Sequence, residues 1–346
     1  MENKLKVLIA PYANKNYWLV DKAIEFLKND KRLCVSVIPQ EELKTPENIP
    51  FLSNNNEFEV LVVTNGDAHV TDHVIKQIKG LKWVQVLGTG VEKLLKFDSV
   101  LNKDITLTNL KSVSAIELAE FAMLGVLYFM KKIPLFNELK DKKEWMPVQD
   151  TPFDLHLYNK KAVVIGLGEI GSEIARKCHY GFSMNVIGVK RNPATVCANM
   201  NVCCKEIVKP DNLKETVKDA DFVFAALPFN KTGYVVTEEV LMNMKKGSIF
   251  VNVGRGTTVD EKGLIKALKA DIIRAAALDV FEVEPLPKDS PFYTDPSLKD
   301  RVLNTCHKMD QGIINLQVTY DFLSKNIELY LSDKQLENIV DKEKGY

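Results

Sequence analysis

The chain has 346 residues, 46% of them hydrophobic, which is enough for a sizeable core and, at about 150 residues per domain, for roughly two domains. Lys plus Arg and Asp plus Glu each count 46, so the formal net charge is zero and no global field draws the chain to nucleic acid or to an anionic membrane. That composition argues against a disordered chain and against a small disulfide-stapled scaffold. The longest unbroken apolar stretch, Phe121 to Met130, is too short to span a bilayer, and Val7 to Ala10 is too short for a secretory signal. Cysteines at 34, 178, 197, 203, 204 and 306 form no Cys-x-x-Cys pair, so reduced thiols in a soluble, cytoplasmic protein are expected.

In chain order, Lys6 to Ala10 reads as a buried strand, and Trp18 to Leu27 as a helix with Trp18, Leu19, Ala23, Phe26 and Leu27 on one face. Cys34 to Ile38 and Val60 to Thr64 are further strands, the latter ending at the Asn65-Gly66 turn. Val70 to Ile78 reads as a helix, and Trp83 to Leu87 as a strand that stops at Gly88-Thr89-Gly90. This alternation predicts a parallel α/β sheet. Ala115 to Met130 reads as one long helix, apolar all round in its second half, as helices buried between two bodies of structure are. It marks the crossing to a second domain, and Pro134 is expected to end it. A polar linker, Lys140 to Asp154, follows. Strands are then expected at Ala162 to Ile165, Asn185 to Val189, Phe222 to Ala226, Ser248 to Val253, Ala275 to Leu278 and Val302 to Asn304, with a closing helix over Asp321 to Leu331.

The strand Ala162 to Ile165 runs into Gly166-Leu167-Gly168-Glu169-Ile170-Gly171, and a helix follows. Gly166 permits the tight turn, Gly168 the approach of a pyrophosphate, and Gly171 the packing of helix on strand. The helix N-terminus then offers free N–H groups to the phosphates. A NAD-preferring site needs an acid about 20 residues on, at the ribose 2′-hydroxyl. This chain carries Lys190-Arg191 there, which suits the 2′-phosphate of NADP; a solvated basic strand end is the plainer reading, and NAD remains possible.

Further on come Val251-Asn252-Val253-Gly254-Arg255-Gly256, then Leu278-Asp279-Val280-Phe281-Glu282-Val283-Glu284-Pro285, then Asn304-Thr305-Cys306-His307. In this order, after a glycine-rich loop, the chain resembles the D-isomer-specific 2-hydroxyacid dehydrogenases, from about Val60 to Val340. Asn109-Leu110-Lys111 with Ala115 to Glu120 looks like that family's entry into its interdomain helix. The chemistry of keto acid reduction suits these residue types: a guanidinium grips a carboxylate with two hydrogen bonds, and an imidazole gives up a proton near neutral pH.

The resemblance implies two doubly wound α/β domains of Rossmann or flavodoxin-like type with a cleft between them. Residues 1–112 and 306–346 would form a discontinuous substrate domain, and 113–305 the NADP-binding domain. It implies Arg255, Glu284 and His307 as the catalytic group. Gly166, Gly168, Glu169, Ile170, Gly171, Lys190, Arg191, Leu227, Pro228, Thr232, Val253, Gly254 and Asp279 would hold the cofactor. Asn65, Gly66, Thr89, Gly90 and Val91, with Arg255, would hold a small 2-keto or 2-hydroxy acid, and the chain would form a homodimer. Trp145 sits where some glyoxylate and hydroxypyruvate reductases cap a neighbour's pocket; an aromatic packed on its own chain is the other reading. No metal is implied, and the isolated pair His69 and His73 reads as solvated.

Three features depart from the pattern. Lys308-Met309-Asp310 stand where small residues and a glycine are usual, Cys306 replaces a proline, and Pro228 to Gly233 is a short version of a Pro-rich loop. A dinucleotide-binding corepressor-like protein with little turnover is the alternative from another class. A phosphite or formate oxidiser is weaker, because the formate branch typically lacks the acid at Glu284.

Overall fold

The computed structural model describes residues 4–11, 18–64, 67–111, 113–147, 155–195, 203–310 and 313–345. The chain divides into two compact units, Met1–Val113 with Gly312–Tyr346, and Ser114–Gln311. The second unit therefore runs past the expected boundary at residue 305. The reason is local: the His307 N–H donates to the Asp279 carbonyl at 2.9 Å and the Lys308 N–H to the Asp279 carboxylate at 3.0 Å, tying the segment after residue 305 to the second sheet.

The first unit is built on β1 (Leu5–Ala10), β2 (Leu33–Val37), β3 (Val60–Thr64), β4 (Trp83–Leu87) and β5 (Thr106–Thr108). They form one parallel sheet in the order β2-β1-β3-β4-β5, the doubly wound order of flavodoxin-like folds. β3 and β4 are buried at every position, as strands covered on both faces are. Separate hydrophobic clusters fill the two faces, one around Leu8, Leu61 and Val84, the other around Val7, Val62 and Trp83.

The second unit carries β6 (Lys161–Ile165), β7 (Asn185–Val189), β8 (Glu206–Val208), β9 (Phe222–Ala225), β10 (Ser248–Asn252), β11 (Ile273–Leu278) and β12 (Val302–Asn304). The order β12-β11-β10-β9-β6-β7-β8, all parallel, is that of a dinucleotide-binding Rossmann sheet extended by one strand. The order reverses between β6 and β9, which is where such sheets take ligands at the carboxyl ends of their strands. The helix Ala115–Met130 packs on β10, β11 and the helix Glu169–Arg176. Gly125 makes its close approach possible, since a Cβ there would lie 2.4 Å from that of Ala277. The helix is not buried all round, because Leu124 is 52% exposed.

Pro134 does not act as a stop signal. The long helix ends at Met130, and Pro134 stands in the first turn of another helix, Ile133–Lys142, where its missing N–H costs nothing. The expected linker is thus helical as far as Lys142. Among the described residues no helix is long and apolar enough to cross a membrane.

Candidate active site

β6 leads into the glycine loop, and each glycine has a separate physical reason. Gly166 takes φ +96°, a backbone region that side chains disfavour. A Cβ on Gly171 would lie 1.8 Å from the Gly166 carbonyl oxygen, so the helix Glu169–Arg176 can sit on the turn only without one. Gly168 faces open space, leaving its backbone accessible at the helix N-terminus. Leu167 seats its side chain over Gly188 of β7, where a Cβ would come within 2.3 Å. At the end of β7, the Lys190 ammonium donates to the Leu167 carbonyl at 3.1 Å and to that of Thr195 at 3.3 Å. It is thereby held beside the loop; Arg191 also has a partner.

After β9 and β10 two turns meet. A Cβ on Gly254 would come within 2.5 Å of the Leu227 backbone, so Leu227 and Gly254 are pressed together. The buried Asn252 side chain accepts the Gly254 N–H at 3.1 Å and shapes the turn that presents Arg255. The Thr258 hydroxyl donates to the Arg255 carbonyl at 2.7 Å. Thr232 exchanges side-chain hydrogen bonds with Asn230 at 2.9 and 3.1 Å.

β11 ends in Asp279 and β12 leads to His307. Asp279 is fully buried, and its Oδ1 accepts the Thr305 hydroxyl at 2.6 Å and the Lys308 N–H. Its Oδ2 is buried with no partner among the described residues. Lone buried carboxylate oxygens are costly. Here the acceptor fits the carboxamide donor of a nicotinamide ring, as the open Gly168 and the helix N-terminus fit a pyrophosphate. His307 adopts φ 53°, within the left-handed region that non-glycine residues rarely occupy and that clusters at functional sites.

His307 Nδ1 lies 2.8 Å from Glu284 Oε2. A carboxylate only accepts, so Nδ1 carries the proton and Nε2 is left for a substrate. The other Glu284 oxygen accepts the Phe281 N–H at 2.9 Å. The bond from Glu284 raises the His307 pKa above its ordinary 6.5, against burial and the neighbouring Arg255. Burial alone would push the Glu284 carboxyl up, but His307, the Phe281 N–H and Arg255 outweigh it and leave it below 4.5. Arg255, Asp279 and Glu284 therefore all act electrostatically on His307 within one unit. Of the Lys308-Met309-Asp310 departure, Met309 packs against the hydrophobic core and Lys308 faces solvent.

In the first unit, the loop after β4 is braced from behind. Thr89 donates to the Leu110 carbonyl at 3.2 Å, Asn109 donates to that of Thr89 at 2.6 Å, and Val91 is buried. Asn65, Gly66 and Cys197 lie outside the described residues. Trp145 is 93% exposed, so it does not pack on its own chain. His73 Nδ1 lies 3.0 Å from the His69 carbonyl. Asn252, Thr305 and Glu261, which accepts the Glu282 N–H, were not singled out in the sequence. Asn252 and Thr305 flank singled-out residues, but only their hydrogen bonds reveal what they hold.

A Rossmann sheet with a glycine loop, a histidine–carboxylate pair and a neighbouring arginine defines a class, the dinucleotide-dependent oxidoreductases. Residues 123–308 match the model of the D-isomer specific 2-hydroxyacid dehydrogenase NAD binding domain. The chain is 34% identical over 291 residues to D-3-phosphoglycerate dehydrogenase of Methanocaldococcus jannaschii, covering 84% of this chain and about half, 53%, of that protein. It is 29% identical over 253 residues to glyoxylate/hydroxypyruvate reductase B of Yersinia pestis, covering 72% of this chain and 75% of that protein. It shares its fold with an NADPH-dependent glyoxylate/hydroxypyruvate reductase of Sinorhizobium meliloti solved with NADP and sulfate, with a TM-score of 0.79 and 20% identity over 99% of this chain and 100% of that one. A D-isomer specific 2-hydroxyacid dehydrogenase of Xanthobacter autotrophicus solved with NADPH and MES gives a TM-score of 0.77 and 25% identity, covering 98% and 99%. The chain belongs to the D-isomer-specific 2-hydroxyacid dehydrogenase family.

Proposed function

We propose that the protein is an NADP(H)-preferring reductase of small 2-keto acids of the glyoxylate and hydroxypyruvate kind, giving 2-hydroxy acids, of D configuration where the product is chiral. The observation that carries this reading is the 2.8 Å contact of His307 with Glu284 beside Arg255. The nicotinamide, when bound, supplies the hydride. Arg255 grips the substrate carboxylate and polarises the carbonyl. His307 gives its Nε2 proton to the developing alkoxide, and Glu284 holds the ring in the required tautomer and favours its charged form. The resemblance assigns the substrate carboxylate also to the Thr89, Gly90 and Val91 amides. Gly166 to Gly171 would hold the pyrophosphate, Leu227, Pro228, Thr232, Val253 and Gly254 the rest of the dinucleotide, and Asp279 Oδ2 the carboxamide. The Lys190 ammonium beside the loop supports a 2′-phosphate there. A cytoplasmic homodimer in which the exposed Trp145 reaches the neighbouring copy completes the proposal.

A panel of small 2-keto acids with NADPH and NADH, followed by loss of reduced-cofactor absorbance, tests it. Turnover of glyoxylate or hydroxypyruvate with NADPH is expected. Lys190→Ala with Arg191→Ala should raise KM for NADPH about tenfold or more and change that for NADH little, since charge-assisted hydrogen bonds contribute about 1.5–3 kcal/mol. Tight cofactor binding with no turnover of any keto acid would favour the corepressor-like alternative.

A further inference from the structure

Glu261 is a first-turn acid of the kind a helix N-terminus favours, but its side chain bonds outside its own helix. It stands first in the helix Glu261–Lys269, whose N-terminus is already capped by Asp260, the side chain of which accepts the Gly263 N–H at 2.9 Å. Glu261 turns away from that helix and accepts the Glu282 N–H. Burial, with the charges of Glu282 and Glu284 nearby, raises its pKa above 4.5. An acid placed among acids is electrostatically unfavourable, so the contact that keeps it there carries the explanation.

That contact pins the loop bearing Glu284. Residue 282 is held on its backbone by Glu261 and on its side chain by the Tyr234 hydroxyl, which donates to the Glu282 carboxylate. On the other side lies the Arg255 turn, where a Cβ on Gly256 would come within 1.9 Å of the Phe281 carbonyl carbon. Phe281 itself is buried and its N–H donates to Glu284. The chain of bonds runs from Glu261 through Glu282 and Phe281 to Glu284 and His307.

We propose that Glu261 is a positioning residue for proton transfer, fixing the 281–284 loop so that the Glu284 carboxylate stays seated on His307. This rests on the function proposed above. Small displacements of a catalytic pair are costly, about 10²-fold for an error of 1 Å, so the role has a kinetic signature.

Four variants of the full chain separate the possibilities, read by kcat and KM for the 2-keto acid and by the His307 imidazole pKa from NMR without cofactor. Glu261→Ala removes the acceptor. Glu261→Asp keeps a charge at the helix N-terminus but shortens the reach to Glu282, and it serves if the alanine variant does not fold. Glu261→Gln keeps the reach, and His307→Ala reports on the parent reading. The proposal expects kcat to fall tenfold or more in Glu261→Ala and clearly in Glu261→Asp, with KM for NADPH unchanged and the His307 pKa moving down toward 6.5. Glu261→Gln should recover most of the rate. Wild-type kcat and His307 pKa in Glu261→Ala and Glu261→Asp, or a glutamine variant as poor as the alanine one, would overturn it while His307→Ala stays impaired. If His307→Ala is as active as wild type, the proton-transfer reading fails and this inference with it.

Discussion

At His307 a left-handed backbone, φ 53°, points an imidazole at a carboxylate from another loop. The direction of each pKa sets the pH behaviour. In the proposed reduction His307 gives its proton as the imidazolium, so kcat/KM should fall with rising pH along a limb centred above 6.5, where the folded His307 deprotonates. Glu284→Gln removes the carboxylate charge that helps raise the His307 pKa, so the limb should move to lower pH and the rate at neutral pH should drop; an unmoved limb would dissociate Glu284 from the proton donor. Stability follows the same signs. The raised His307 contributes fully below 6.5 and loses this as pH rises through its folded value. The lowered Glu284 contributes fully above 4.5 and loses this as pH falls through its folded value. Between 4.5 and 6.5 both contributions are complete, though screened, since 33% of the Glu284 and 38% of the His307 side chain is exposed. Neither partner was identifiable from its own neighbours in sequence: each became a candidate through the order of four motifs. Asn252 and Glu261 accept N–H groups of turns and Thr305 donates to the Asp279 carboxylate, and such bonds leave no residue spacing to read.

At the scale of elements, two loops form the centre by lying directly on each other. The Arg255-Gly256 turn rests on the Phe281–Glu282 peptide, with no room for a methyl group. Gly256→Ala should therefore displace both loops, costing about 1–3 kcal/mol of stability and most of the activity; thermal melting beside a kcat measurement checks this. A variant with wild-type melting and rate would mean that the loops have slack. Long buried strands and the Ala115–Met130 helix were legible because periodicity has room to show over such lengths. β5 and β8 span only Thr106–Thr108 and Glu206–Val208, too short for any period, and β12, equally short at Val302–Asn304, was legible only because it leads into the Cys306-His307 motif. Pro134 was ambiguous for a physical reason: proline both ends a preceding helix and suits the first turn of the next.

For the whole molecule, two parallel sheets with separate cores follow two different winding orders, one flavodoxin-like and one Rossmann. Alternating strands and helices made that class readable. The return of the chain to the first unit after Gln311 was placed too early in the sequence, because the hydrogen bonds binding residues 307 and 308 to Asp279 are long-range. These same bonds join His307 to the sheet that carries Arg255, Asp279 and Glu284, and this makes one claim central: a single imidazole gives the proton. Its most direct test is the rate of NADPH consumption with glyoxylate or hydroxypyruvate by His307→Ala, with NADPH affinity measured by titration on the same sample. The account predicts unchanged cofactor affinity and a rate lower by about 10²–10⁴-fold. A variant that binds NADPH normally and turns over at the wild-type rate would contradict it.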